Sequence, residues 1–430
     1  MDKEKLMKVK VLYYPYKAMK KVIYGVLYYC HYSSSLYYIS KNKKRVQKKI
    51  HNKKILNVIF IVQYVPGWNK LEPIYSKMKN DERFHPSIVC VPLNIQNHKL
   101  IDNNGNDTYE YFIKHGYEAI NAFRNDGNWY DLKQLNPDYV FHSRPYNHCM
   151  PECYTSWKIV KYALICNVLY GLSLTKNVEP LLLNKDYFKD CFCYYALDVN
   201  EKSYYEKRFF LGVKFGIQKC FNYGGIGIEQ MFSTKVEKRQ NEFKKTIIWT
   251  PRWSTDDKIG GSNFFNYKNI ILKLVKLHKD CLFVFRPHPL MFSNFVSTGE
   301  MSEIEVKEFK QFCRETANVV LDETKEYCDT FWQSDFLITD GSAIVPEYFS
   351  TGKPIMFCQS KISEANTNFY NDIISRCYEV NNEHDLVNYF EQLLVGNDVK
   401  SDVRKELIDK TMNTYKNNSE KIINSLMFWK

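Results

Sequence analysis

Ser334-Asp335-Phe336-Leu337-Ile338-Thr339-Asp340-Gly341-Ser342-Ala343-Ile344-Val345-Pro346-Glu347-Tyr348-Phe349-Ser350-Thr351-Gly352-Lys353-Pro354-Ile355-Met356-Phe357 decides how the chain is read. Phe336–Thr339 is an apolar, strand-type run, and Asp340-Gly341-Ser342 turns the chain. Ser342 is placed to N-cap a helix that stops at Gly352, and Pro354 leads into a further strand. Pro346 then falls in the first turn, where a missing N–H costs little. Such a turn aims free backbone N–H groups and the positive end of a helix dipole at one point. An anion there gains about 0.3–2 kcal/mol from the dipole alone. Glu347, little more than one turn on, can accept hydrogen bonds from a sugar's hydroxyls. A phosphate position beside a carboxylate points to a nucleotide, although an ordinary capped βαβ unit would carry the same residues.

Two more strand ends follow the same pattern. Leu282-Phe283-Val284-Phe285 runs into Arg286-Pro287-His288-Pro289, and Thr246–Trp249 runs into Thr250-Pro251-Arg252-Trp253-Ser254. Prolines fix the backbone where the guanidinium and imidazole leave the strand, and open α/β sheets bind ligands at that end. Arg grips phosphate oxygens with two parallel hydrogen bonds, and His donates a hydrogen bond or a proton.

These motifs resemble a known family. Arg286-Pro287-His288-Pro289, the Asp340-x-Ser342 turn with an acid seven residues after Asp340, and Thr351-Gly352-Lys353-Pro354-Ile355 look like the CDP-glycerol glycerophosphotransferases. Those enzymes are polymerases and primases of the teichoic-acid type, with relatives in capsule synthesis. Val58–Gln63, Trp68, Lys70-Leu71 and Asn80–Pro92 are similar, more loosely, to their opening βαβ. The resemblance runs over roughly residues 56–390 and is most specific in the C-terminal third. It implies an α/β chain of two Rossmann-like domains facing a cleft, the glycosyltransferase-B architecture, with the nucleotide on the second domain. It also implies that His288 contacts the donor diphosphate, Ser342 a phosphate and Glu347 the ribose. Arg252, Asp340, Gly341 and Ala343 belong to the same substrate-binding set, and Arg286 stands beside His288.

The chain departs from that pattern in two places. The family's Asp-Tyr-Ser-Ser is here Asp340-Gly341-Ser342-Ala343, one hydroxyl short. The family's Trp-His-Gly-Thr-Pro, whose His is its proposed base, is matched by Leu169-Tyr170-Gly171-Leu172-Ser173-Leu174, with Tyr170 in the His position. A phenol of pKa near 10 is a poor base at neutral pH. His142 and His148, following the strand Tyr139–Phe141, are alternative candidates; either could equally cap or pack its loop.

Composition bounds the remainder. At 430 residues the chain holds two domain-sized cores, expected over 55–225 and 226–400, with a C-terminal helix over 401–430 folding back on the first domain. Leu56–Val65, Ser87–Pro92 and Tyr139–Phe141 read as strands, and Leu71–Lys79 and Tyr109–Phe123 as helices. Asn222–Gly227 reads as the interdomain hinge, with no clear strand before it. Residues 1–54 carry fifteen Lys/Arg against two acids, a net +13, which leaves −1 for the rest of the +12 total. That asymmetry argues against a nucleic-acid binder. Tyr13, Tyr14, Tyr16, Tyr24, Tyr28, Tyr29, Tyr32, Tyr37 and Tyr38 interleave with lysines. Residues 9–40 therefore read as a segment lying on an anionic membrane surface, too short in apolar runs to cross it. No signal peptide is visible. The 13 Cys are scattered without zinc spacing, and no Asp-x-Asp follows a strand, so neither metal nor cofactor is expected.

The expected protein is a cytoplasmic enzyme, peripheral on the inner face of the membrane. It would move glycerol phosphate, or a related polyol phosphate, from a CDP-activated donor to a hydroxyl of a cell-envelope polymer or lipid-linked glycan, releasing CMP. A glycosyltransferase using a nucleotide-sugar donor and a non-catalytic capsule-assembly scaffold are the alternatives.

Overall fold

The computed structural model describes residues 10–101, 106–172, 174–176, 186–237, 242–256, 261–359 and 365–429, with backbone alone at 10–16 and 21. Ser173, the side chains of Tyr13, Tyr14 and Tyr16, and part of the charged run Lys235–Lys245 lie outside the described residues.

The first domain is built on β1 (Leu56–Val62), β2 (Phe84–Cys90), the small hairpin β3 (Ile95–Gln96) and β4 (Lys99–Leu100), β5 (Ala119–Asn121), β6 (Tyr139–His142), β7 (Leu164–Val168), β8 (Cys191–Tyr195) and β9 (Lys219–Phe221). Its seven-stranded sheet has the order β5-β2-β1-β6-β7-β8-β9, and every pairing in it is parallel. The second domain holds β10 (Lys245–Thr250), β11 (Cys281–Phe285), β12 (Val319–Leu321), β13 (Phe336–Asp340), β14 (Ile355–Cys358) and β15 (Tyr378–Val380), ordered β12-β11-β10-β13-β14-β15 and again all parallel. The α/β class with two Rossmann-like domains, read from the sequence, is what the chain adopts. Strands such as Leu56–Val62 are apolar at all but one position because helices cover both faces of a parallel sheet. In each sheet the winding reverses beside its first strand, between β1 and β6 and between β10 and β13. Loops diverge at such a reversal and leave a crevice.

Three readings of local structure change. The helix expected over Tyr109–Phe123 covers only Asp107–Lys114, capped by Asn106; Gly116, at φ 76°, ends it, and Ala119–Asn121 becomes the edge strand β5. A strand does precede the glycine-rich link, namely β9. The tail is two main helices rather than one. Ser401–Lys410 stays on the second domain, where Arg404 Nε donates to the Gly352 carbonyl at 3.2 Å. Only Asn418–Met427 crosses to the first, burying Ile422, Ile423 and Leu426 in its core. Asn418 Nδ2 donates to the Gly224 carbonyl at 2.8 Å, so the outgoing and returning crossings lie side by side.

The N-terminal segment is one helix, Lys10–His51. Tyr32, Ser35, Ile39, Asn42 and Val46 recur every three or four residues, place one stripe against the first domain and are buried. Asn42 Nδ2 donates to the Val160 carbonyl at 2.8 Å, and Arg45 and Lys49 both meet Asp138 at 2.7 Å. Docking from Tyr32 onward corrects the expectation that all of residues 9–40 lie on a membrane. Before that point Met19, Val22, Ile23, Val26, Leu27 and Tyr29 stand exposed. No helix among the described residues is long and apolar enough to cross a membrane.

Candidate functional site

Because β10 lies between β11 and β13, the loops after all three strands leave one edge of the second sheet. The loops are pinned to one another by Asp340. Its buried carboxylate accepts from the Arg252 amide at 2.8 Å, from Asn263 Nδ2 at 3.0 Å, from the Asn263 amide at 3.2 Å and from Ser262 Oγ at 3.4 Å. Burial raises its pKa against the pull of those bonds. Asp340, expected to touch substrate, is instead spent on holding the loop after β10 against the end of β13.

Arg286 leaves β11 and meets Asp322 at 2.5 Å and the Thr324 carbonyl at 2.8 Å. Burial alone would raise the Asp322 pKa; the guanidinium and the Thr324 bonds outweigh it and hold the carboxyl below its ordinary value. Two residues on, His288 Nδ1 accepts from the Leu290 amide at 3.1 Å, and its ring lies 6.3 Å from that of Trp253 in the neighbouring loop. Burial, with Arg252 nearby, lowers its pKa to about 4. At neutral pH the ring is therefore uncharged with its proton on Nε2, an arrangement that donates a hydrogen bond but is no general acid. Arg252, His288, Gly341, Ser342 and Ala343 thus come from adjacent strand ends.

Ser342 is not the expected cap. The helix runs Ile344–Phe349, starts from Ala343 without a side-chain cap, and leaves Ser342 Oγ buried and without a partner among the described residues. Pro346 sits in the first turn, and Gly352, at φ 78°, follows the helix.

Glu347, expected at a ribose, faces the other domain. Its carboxylate is ion-paired with Lys70 and accepts from the Tyr327 hydroxyl, all three groups being buried. Lys70 Nζ also donates to Tyr327 Oη at 2.6 Å, and Asn69 Nδ2 reaches the same hydroxyl. Gly227 makes room for this network: a Cβ there would lie 2.2 Å from Glu347 Oε1 and 2.6 Å from Lys70 Nζ.

On the first domain the corresponding crevice holds Tyr64 after β1, Arg144 and Tyr146 after β6, and Tyr170 after β7. Tyr170 Oη lies 3.3 Å from Tyr146 Oη, and the Tyr170 ring 6.1 Å from that of Tyr64. Arg144 donates to Gln63 Oε1 at 2.7 Å and sits over Tyr64 and Tyr146, at 5.9 and 5.7 Å. Burial and Tyr170 raise the Tyr64 pKa, while Arg144 and Arg286 oppose the rise; the strand-end arginine of the second domain thus faces Tyr64 of the first. His148, exposed, packs its ring 6.0 Å from Tyr146.

His142 is not in this crevice. It is buried, stacks 5.6 Å from Tyr187, has no partner for either ring nitrogen among the described residues, and burial lowers its pKa to about 3. Sealed in this way, it does not reach an acceptor hydroxyl. Arg144, Tyr64 and Tyr327 were not singled out from the sequence, and Lys70 was named only within the resemblance, without a role. Arg144-Pro145 after a strand repeats the grammar of Arg286-Pro287, so that signal was present; nothing local marks Lys70 or Tyr327.

Two doubly wound domains, with the strand ends of the second gathered at its switch point, define the glycosyltransferase-B-like class. Residues 233–428, somewhat under half of the chain, match the model of the family described as CDP-Glycerol:Poly(glycerophosphate) glycerophosphotransferase, so the second domain and the returning tail are similar to that enzyme family. No curated protein matches its sequence. Among solved structures, the wall teichoic acid polymerase TagF is similar at TM-score 0.55 and 12% identity, covering 96% of each chain. The S. aureus MnaA–UDP co-structure is similar at TM-score 0.57 and 14% identity, over 87% of this chain and 97% of that one. A Neisseria meningitidis UDP-GlcNAc 2-epimerase bound to UDP-GlcNAc follows at TM-score 0.54 and 13% identity, over 86% of this chain and all of the other. At these identities the structural likeness is one of fold.

Proposed function

We propose that the protein transfers glycerol phosphate from CDP-glycerol to a hydroxyl of a cell-envelope polymer or lipid-linked glycan. The reading is carried by one observation: the loops after β10, β11 and β13 gather Arg252, Arg286, His288 and Ser342 at a single sheet edge, within the stretch that matches the family. The acceptor oxygen attacks the β-phosphorus, the bond from that phosphorus to the CMP oxygen breaks, CMP leaves with the bonding electron pair, and the hydroxyl proton passes to solvent water. In a loose phosphoryl-transfer transition state, positioning and charge stabilisation do most of the work and the base matters little. That fits a crevice with Tyr170 in the expected His position and His142 sealed away. Neutral His288 donates from Nε2 to the diphosphate, and Arg252 with Arg286 balances the charge growing on CMP. CMP release from CDP-glycerol plus acceptor is the test, and His288→Ala should abolish it; unchanged turnover removes His288 from the mechanism. Tyr170 also keeps a sugar-transferring reading in play. Ranking CDP-glycerol, CDP-ribitol, UDP-sugars and CMP-sialic acid by thermal shift separates the two.

The same reading places the protein on the inner face of the membrane. Its support is the exposed apolar face Met19–Tyr29 on a lysine-rich helix, whose rings and aliphatic groups suit the headgroup boundary and whose charges suit anionic lipid.

A further inference from the structure

The turn after β13 lacks the second hydroxyl of the family motif, because Ala343 stands in its place. The structure offers a replacement from a fourth strand end. Helix Asn368–Ile374 follows β14, the neighbour of β13, and Thr367 caps it by accepting from the Tyr370 amide at 3.3 Å. That cap, together with the edge of Phe357 at 6.2 Å, fixes the Tyr370 ring. Its hydroxyl lies beside Gly341, 3.5 Å from where a Cβ would stand, with the Ser342 amide and Arg252 as close electrostatic neighbours. It is buried and has no hydrogen-bond partner among the described residues, and the same holds for Ser342 Oγ. Two orphan hydroxyls at one turn are unusual, since a buried hydroxyl without a partner is destabilising and native structures rarely keep one without a use. A structural tyrosine would have its oxygen satisfied; a ligand-binding one has it vacant until the ligand arrives.

We infer that Tyr370 and Ser342 form a paired hydroxyl clamp for a phosphate of a nucleoside-diphosphate donor, Tyr370 supplying the contact that Ala343 cannot. The clamp rests on the reading of the second domain as the donor site. Each hydroxyl donates to a non-bridging oxygen, and Arg252 supplies the charge.

The test is Tyr370→Phe, alone and combined with Ala343→Ser. The single variant should leave the melting temperature close to native, because among the described residues the hydroxyl has only the Ser342 amide beside it, outside good hydrogen-bond geometry. It should also weaken calorimetric binding of CDP and lower kcat/KM for CDP-glycerol, each by roughly tenfold or more. Adding Ala343→Ser should restore most of both. A Tyr370→Phe protein with native CDP affinity overturns the clamp, as does a fall in melting temperature without rescue by Ala343→Ser, or a native protein that binds neither CDP nor UDP. A native protein that binds CDP through Tyr370 but releases no CMP from CDP-glycerol leaves the clamp standing and overturns the proposed reaction instead.

Discussion

Replacing Lys70 by Met tests what holds the two domains together. The Lys70 side chain is 6% exposed and that of its partner Glu347 1%. Removing the ammonium leaves a buried carboxylate with the Tyr327 hydroxyl as its remaining donor. Breaking a buried pair from one side costs about 3–5 kcal/mol, mostly from the stranded charge, whereas removing both partners in favour of apolar groups is often close to neutral. Urea unfolding followed by tryptophan fluorescence reads the difference, because Trp68 and Trp332 are buried one in each domain. With a slope near 3 kcal/mol per molar or above for a chain of this size, Lys70→Met should lower the midpoint of the interdomain transition by about 1 M. Lys70→Met combined with Glu347→Leu should recover most of that loss. If the single and double variants both unfold within about 0.3 M of the native protein, the pair is solvated in solution and does not close the cleft. A second readout comes from the same variants. If a donor ribose needs the Glu347 carboxylate, Lys70→Met frees it and should tighten CDP-glycerol binding while weakening the fold.

The buried His142 and the half-buried His288 both make stability fall in acid. Their folded pKa values lie below the unfolded value near 6.5, at about 3 for His142 and about 4 for His288, so the unfolded chain binds more protons from pH 6.5 downward. Each group then removes about 1.4 kcal/mol per pH unit across its window, and His142→Phe should flatten the acid limb of a Tm-against-pH curve without altering CMP release. His288 is uncharged in the free protein through the neutral range, so CDP-glycerol binding at pH 8 should take up no proton; a binding heat that varies with the ionisation enthalpy of the buffer at that pH would contradict the neutral imidazole. Asp340→Ala unpins the loop after β10 and should lower kcat/KM by about tenfold or more, with a loss of about 2–4 kcal/mol in stability, since several donors lose a common acceptor. Val26→Glu with Leu27→Glu should abolish sedimentation with anionic vesicles and leave turnover of a soluble acceptor intact.

The second domain was the more legible of the two. Its strand ends carry Pro, Gly and charged residues in fixed order, and turn chemistry of that kind is local, so Thr250-Pro251-Arg252, Arg286-Pro287-His288 and Asp340-Gly341-Ser342 announced their meeting. What the side chains do there was less visible. Asp340 and Glu347 both look like ligand carboxylates in sequence, but their partners, the Arg252 amide and Lys70, are 88 and 277 residues away. His142 misled for a reason built into parallel sheets. With both faces covered, a polar residue at either parity of the strand is buried, so alternation says nothing about exposure. The N-terminal helix was legible as basic and aromatic, but not as docked. Its contact stripe is made of Tyr, Ser and Asn as much as Ile and Val, and a hydropathy pattern alone does not register it.

The polypeptide travels from one lobe to the other at Asn222–Gly227 and comes back just after Tyr415, and Asn418 ties the two passages together at Gly224. A pair of parallel straps bends across its width and resists torsion, as a single thread does not. The two passages thus make one joint between the lobes, and a second backbone link joins them elsewhere, where the Lys176 amide donates to the Ala365 carbonyl at 2.8 Å and the Thr367 amide to the Leu174 carbonyl at 2.9 Å.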